Sequence, residues 1–128
     1  MSTSPARIRQ IAVPVNDVGE AKRFYGDVLG LRHLFDAPPA LSFFDCGGVQ
    51  LMLSGPEAQG KEGDRQHPVL FYDVDDIKKA HAHIKARGAE GVEEPRIIAR
   101  MNGREIWIAM VGDGQGNMVG LMSDVAEV

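Results

Sequence analysis

Val15-Asn16-Asp17-Val18 returns 59 residues later as Val74-Asp75-Asp76-Ile77, with Ala21 and Ala80 at the same offset. Asp45-Cys46-Gly47-Gly48 returns 68 residues on as Asp113-Gly114-Gln115-Gly116, so the second copy carries a longer hairpin. A stretch this long, repeated only twice, is a duplicated module and not a solenoid. The chain of 128 residues has the length of one domain. It reads as two βαβββ modules, residues 7–54 and 67–124, joined by a polar, glycine-rich loop at 55–66. The fold class is α+β.

The pattern within each module supports this division. Residues 8–15 alternate and are rich in β-branched side chains, as a strand is, with Ile11, Val13 and Val15 on one face and Ile8, Gln10 and Ala12 on the other. Asp17 then caps a helix, with Glu20 three residues on. Val18, Ala21, Phe24, Tyr25, Val28 and Leu29 form its apolar stripe, and Gly30 ends it. Strands are predicted near 31–36, 40–45 and 49–54, separated by Pro38-Pro39 and Gly47-Gly48. The second module repeats the order. Its strands are predicted at 69–74, 96–101, 104–111 and 117–123, and its helix carries Ile77, Ala80 and Ile84 on the buried stripe.

Charge and cysteine count narrow the function classes. Fourteen basic residues against eighteen acidic ones give a net charge of −4, which argues against nucleic acid and against an anionic membrane as partners. The single cysteine, Cys46, offers neither an internal disulfide nor a thiolate zinc cluster, and is read as structural. Residues 1–7 lack the apolar stretch of a signal peptide and no run of about 18 apolar residues occurs, so a cytoplasmic location is expected. Gly112-Asp113-Gly114-Gln115-Gly116 precedes a strand and not a helix, so these glycines serve a hairpin and not a phosphate.

Three segments together resemble a known family. Val15-Asn16-Asp17-Val18, the Phe24-Tyr25-Gly26-Asp27-Val28-Leu29-Gly30-Leu31 run and the Asp113-x-x-Gly116-Asn117 turn are similar to the vicinal oxygen chelate superfamily, the group of glyoxalase I, bleomycin-resistance proteins and extradiol dioxygenases. The resemblance covers nearly the whole chain; Gly114 departs from it, standing where the family often has Pro. It implies a cupped mixed sheet with helices outside and a pocket inside, and often a homodimer that completes the pocket. A chain with two modules of its own is also compatible with a monomer.

The resemblance further implies four metal-ligand positions, filled in the family by His or Gln, Glu, His and Glu. Here they hold Gln10, Met52, Val69 and Gly120. Valine and glycine have no ligand atom, and a thioether suits Cu(I) better than the harder divalent ions. No metal and no cofactor are therefore expected. His67 shares strand parity with Val69, but two residues shift a side chain by about 6.6 Å, too far for a bond of about 2.1 Å without a bulge. His81 and His83 lie two apart on a helix, so they do not chelate together and are expected on a solvated flank.

The expected cup lining is mostly apolar with a few amides. Gln10, Gln50, Met52, Val69, Phe71, Trp107, Met118 and Gly120 are the candidate substrate-binding residues, with Ala12 and Met122 beside them. Along 104–111, Ile106, Ile108 and Met110 are expected to pack on a helix, which turns Glu105 and Trp107 into the cup. Trp107 there stacks on a planar ligand, fills core or meets a second copy. Glu105 serves as a general acid or base, or pairs with Arg100 or Arg104 in water.

Three functions are compatible with these residues. The first is a metal-independent, bleomycin-resistance-like protein that binds a small, partly aromatic organic molecule. The second is an enzyme of the superfamily (lyase, isomerase or dioxygenase type) using Glu105 or His67 or an atypical metal set. The third is a structural or regulatory module whose cup is filled by its own side chains.

Overall fold

The computed structural model describes residues 7–59 and 68–127, and the chain divides into two compact units between residues 66 and 67. The first unit runs β1 (Gln10–Pro14), α1 (Val18–Arg23), β2 (Arg32–Ala37), β3 (Leu41–Cys46), β4 (Val49–Ser54) and a short α2 (Pro56–Gln59). The second runs β5 (Leu70–Asp73), α3 (Ile77–Ala86), β6 (Glu90–Met101), β7 (Arg104–Gly112) and β8 (Met118–Ala126). Each unit is one four-stranded mixed sheet, in the orders β1-β4-β3-β2 and β5-β8-β7-β6. In both, the first strand pairs in parallel with the last, and the other pairings are antiparallel.

The repeated aspartates do the same work twice. Asp17 Oδ1 accepts from Glu20 N at 3.0 Å and Asp76 Oδ1 from Lys79 N at 3.1 Å, so each side chain satisfies an amide with no partner inside its helix. After Arg23, α1 widens into a π-type turn over Phe24–Val28, where Leu29 N donates to Phe24 O. This turn lets Phe24 and Tyr25 both bury, edge to face at 5.1 Å, and Gly30 at φ +82° ends it.

In the hairpin turns, Asp45 Oδ1 accepts from Gly48 N at 3.3 Å. Asp113 does more. Its Oδ1 accepts from Gln115 N at 2.7 Å and Asn117 N at 3.1 Å, and its Oδ2 accepts from Asn117 Nδ2 at 2.8 Å. That satisfies a carboxylate that is 3% exposed.

Two expectations on element boundaries are corrected. β6 begins at Glu90 and not near 96. Its register against β7 shifts three times, and Glu93, Glu94 and Pro95 interrupt the alternation that marks a strand. An edge strand tolerates all of this, because one side of its backbone needs no partner. Pro56–Gln59, expected as loop, forms one helical turn with Pro56 at its first position.

Strand parity divides each sheet into a covered and an open face. In the first unit Val13, Phe44, Leu51 and Leu53 are buried in register with one another, and Gly26 of the π-type turn lies against the Phe44 ring. In the second unit Ala109, Val111, Val119, Leu121 and Ser123 are buried on one face, and Ile77, His81 and Ile84 are the buried residues of α3. His81, expected on a solvated flank, is thus corrected to a core position: the buried stripe runs 77, 81, 84, and Ala80 lies beside it.

Candidate functional site

In the first unit the face turned away from α1 carries Gln10, Ala12, Gln50 and Met52, paired Gln10 with Gln50 and Ala12 with Met52. Gln50 Nε2 donates to Gln10 Oε1 at 2.5 Å, and Gln10 Nε2 donates to Met52 Sδ at 3.6 Å. On the same face Phe43 lies directly across from Met52, and Phe35 lies across from Phe43. The two rings are stacked, with centroids 4.4 Å apart and planes 21° from parallel. Phe35 is half exposed while Phe43 is buried. Neither phenylalanine was among the sequence candidates. The signal for them was parity with Met52, and it is blurred by a register shift between His33 and Phe35.

In the second unit Phe71 and Gly120 are direct partners on parallel strands. A Cβ on Gly120 would stand 2.4 Å from the Phe71 ring, so glycine is what lets that ring lie flat across β8. Val69, Phe71 and Met118 are exposed here, and Met110 and Ile108 pair with Gly120 and Met122 on this face.

The expected orientation of β7 is reversed. Trp107 pairs with Ser123, three positions from the Met110–Gly120 pair, so it lies on the opposite face. Lys78 of α3 places its ammonium 4.8 Å from the Trp107 ring centroid, which identifies that face as the one under the helix. Glu105 goes with it: it accepts from Trp107 Nε1 at 3.2 Å, and Arg100 Nε lies 3.6 Å from its carboxylate. Hence Glu105 and Trp107 do not share a face with Phe71, Met118 and Gly120. Both faces of β7 are apolar, so alternation alone did not tell which one the helix covers. His67, the other candidate acid or base, lies outside the described residues.

The four positions that the resemblance assigns to metal ligands do not fit a divalent cation here. Gln10 Oε1, which accepts from the Gln50 amide, is the one hard donor of the four; Met52 offers only a thioether, and Val69 and Gly120 offer no donor atom. Among the described residues no group of three or more His, Cys, Asp or Glu is placed to hold a metal ion. Cys46 is a free thiol that partial burial, and then the neighbouring Asp45 carboxylate, push upward in pKa, away from a reactive thiolate. No described helix is long and apolar enough to cross a membrane.

Solved structures share this fold. Lactoylglutathione lyase from Agrobacterium tumefaciens is 24% identical, with 94% of this chain and 95% of that one covered and a TM-score of 0.72. A glyoxalase/bleomycin resistance protein/dioxygenase superfamily member from Sphaerobacter thermophilus DSM 20745 is 20% identical, covering 93% and 98%, with a TM-score of 0.74. TnmS3, an antibiotic binding protein from Streptomyces sp. CB03234, is 23% identical over 95% and 98%, with a TM-score of 0.71. No curated protein matches in sequence. The family model described as glyoxalase/bleomycin resistance protein/dioxygenase superfamily matches residues 7–121, and the chain belongs to that superfamily.

Proposed function

We propose that this protein is a metal-independent, cytoplasmic binding protein for a small, partly aromatic organic molecule. The open face of the first sheet is the principal surface in this reading. The observation that carries it is the half-exposed Phe35 ring stacked on Phe43, next to Met52 and the Gln10–Gln50 amide pair. A planar ring gains from a third aromatic layer on Phe35, where each aromatic pair contributes about 0.5–1.5 kcal/mol beyond its buried area. The amides supply a donor and an acceptor for the polar end of such a molecule, and Met52 adapts its shape to the rest. Val69, Phe71, Met118 and Gly120 offer a second apolar surface on the sheet of the other unit. The antibiotic-binding activity named for TnmS3 belongs to the same class of function. The reading includes a homodimer, which sedimentation at graded concentrations tests.

The experiment is a thermal-shift screen of planar aromatic antibiotics and dyes. A true ligand raises the melting midpoint, by an amount equivalent to about 2.7 kcal/mol at one hundred times its Kd. Phe35→Ala abolishes that rise while leaving the unliganded midpoint nearly unchanged. A rise that survives Phe35→Ala in full, or no rise with any compound, overturns the reading.

A further inference from the structure

A groove of about 600 Å³ lies beside α3 of the second unit, lined by Lys78, His81, Ala82, Lys85, Glu94 and Pro95 among others. It lies against α3 and β6 and shares no lining residue with the Phe35 surface of the first sheet.

His81 sits in the wall of this groove and is 2% exposed, yet neither ring nitrogen makes a hydrogen bond. Nε2 is buried without a partner, which favours the tautomer with the proton on Nδ1. Nδ1 has the Glu94 carboxylate 3.7 Å away, beyond hydrogen-bond reach. The other oxygen of that carboxylate accepts from Lys85 Nζ at 3.2 Å. Lys85 is held in place by its stem, which crosses β6 over Gly91, where a Cβ would stand 2.9 Å from it. Thus a buried ring donor and a seated ammonium, one helical turn apart, converge on one carboxylate. That carboxylate belongs to a side chain 75% exposed, which leaves its place at little cost. Three groups that are cationic or donate hydrogen bonds (Lys78, His81, Lys85) face a single anion, Glu94. Ala82 and Pro95 make the adjoining walls small and apolar.

We propose that this groove is a binding site for a small carboxylate with a short apolar tail, and that Glu94 is its internal stand-in. The ligand carboxylate takes the place of Glu94 between His81 Nδ1 and Lys85 Nζ, and its tail lies on Ala82 and Pro95. Glu94 therefore competes with the ligand.

Benzoate is the probe, with chloride at equal ionic strength as the control, followed by amide and imidazole NMR shifts of the whole chain. In the natural protein benzoate gives saturable shifts at His81, Ala82 and Glu94 that chloride does not give. Glu94→Gln tightens binding about threefold, the size expected for removing one competing exposed ion pair, and Lys85→Gln weakens it about tenfold through loss of the charge-assisted contact to the ligand. Lys79→Gln, one position past the groove-lining Lys78, changes nothing. Shifts that chloride reproduces, absence of saturation in both the natural protein and Glu94→Gln, or weaker binding in Glu94→Gln overturns the proposal. The three substituted side chains are solvent-accessible, so the variants remain folded, and an unchanged amide spectrum away from the groove verifies it.

Discussion

The Lys78 ammonium lies 4.8 Å from the centroid of the Trp107 ring, and this contact joins α3 to the covered face of β7. Trp107 is the only tryptophan of the chain, so its emission reports on that contact. Lys78→Ala is expected to shift the emission and to cost about 0.5–1 kcal/mol of stability, the range for a cation over a ring at an exposed site. Fluorescence and denaturant titration measure both.

Gly120→Ala is expected to destabilise the second unit by about 1–3 kcal/mol, the usual cost of forcing extra volume into a packed position. The added methyl meets the Phe71 ring at 2.4 Å. Adding Phe71→Ala to the same chain recovers much of the loss, because the obstructing ring is gone. Urea unfolding of the single and double variants gives the coupling, which is expected to be favourable and non-additive.

Asp113→Ala removes the buried acceptor of three hydrogen bonds in the turn before β8. The loss is expected to be about 1–3 kcal/mol, since the Gln115 amide is left buried without its acceptor. Asp45→Ala, at the equivalent turn of the first unit, loses one longer bond of 3.3 Å and costs much less. The comparison by thermal unfolding separates the two turns despite their common ancestry in sequence.

Asp36 provides a pH prediction. The Lys22 ammonium at 2.7 Å, with His33 at 2.8 Å, holds the Asp36 carboxyl well below the usual carboxylate range. A depressed folded-state pKa stabilises the protein above the unfolded carboxylate value of about 4, and the gain disappears as pH falls through the lower folded value. Both partners are more than a third exposed, so Asp36→Asn costs only about 0.5–1 kcal/mol at neutral pH. The gap between the two proteins closes only in strong acid. Parallel pH series of melting midpoints check the sign.

Much of the fold is legible along the chain because it rests on local chemistry. Asp17 and Asp76 announce helix starts, since a short acceptor is what free amides need there. Asp45 and Asp113 announce turns for the same reason. Gln10, Gln50 and Met52 share a face by parity, and the sheet brings them into contact. β6 is less legible, because an edge strand escapes the alternation that a two-sided strand obeys.

The order of elements, their duplication and the residue types at each position that the resemblance assigns to a ligand are properties of the sequence itself. They follow from spacing, side-chain chemistry and backbone preference over a few residues. Tertiary structure alone decided which apolar face of β7 lies under α3, that Phe35 reaches Phe43 across a shifted register, and that His81 is buried beside Glu94. A period of two marks two faces without saying which is covered; that choice is made by the packing partner, which stands far away in the chain.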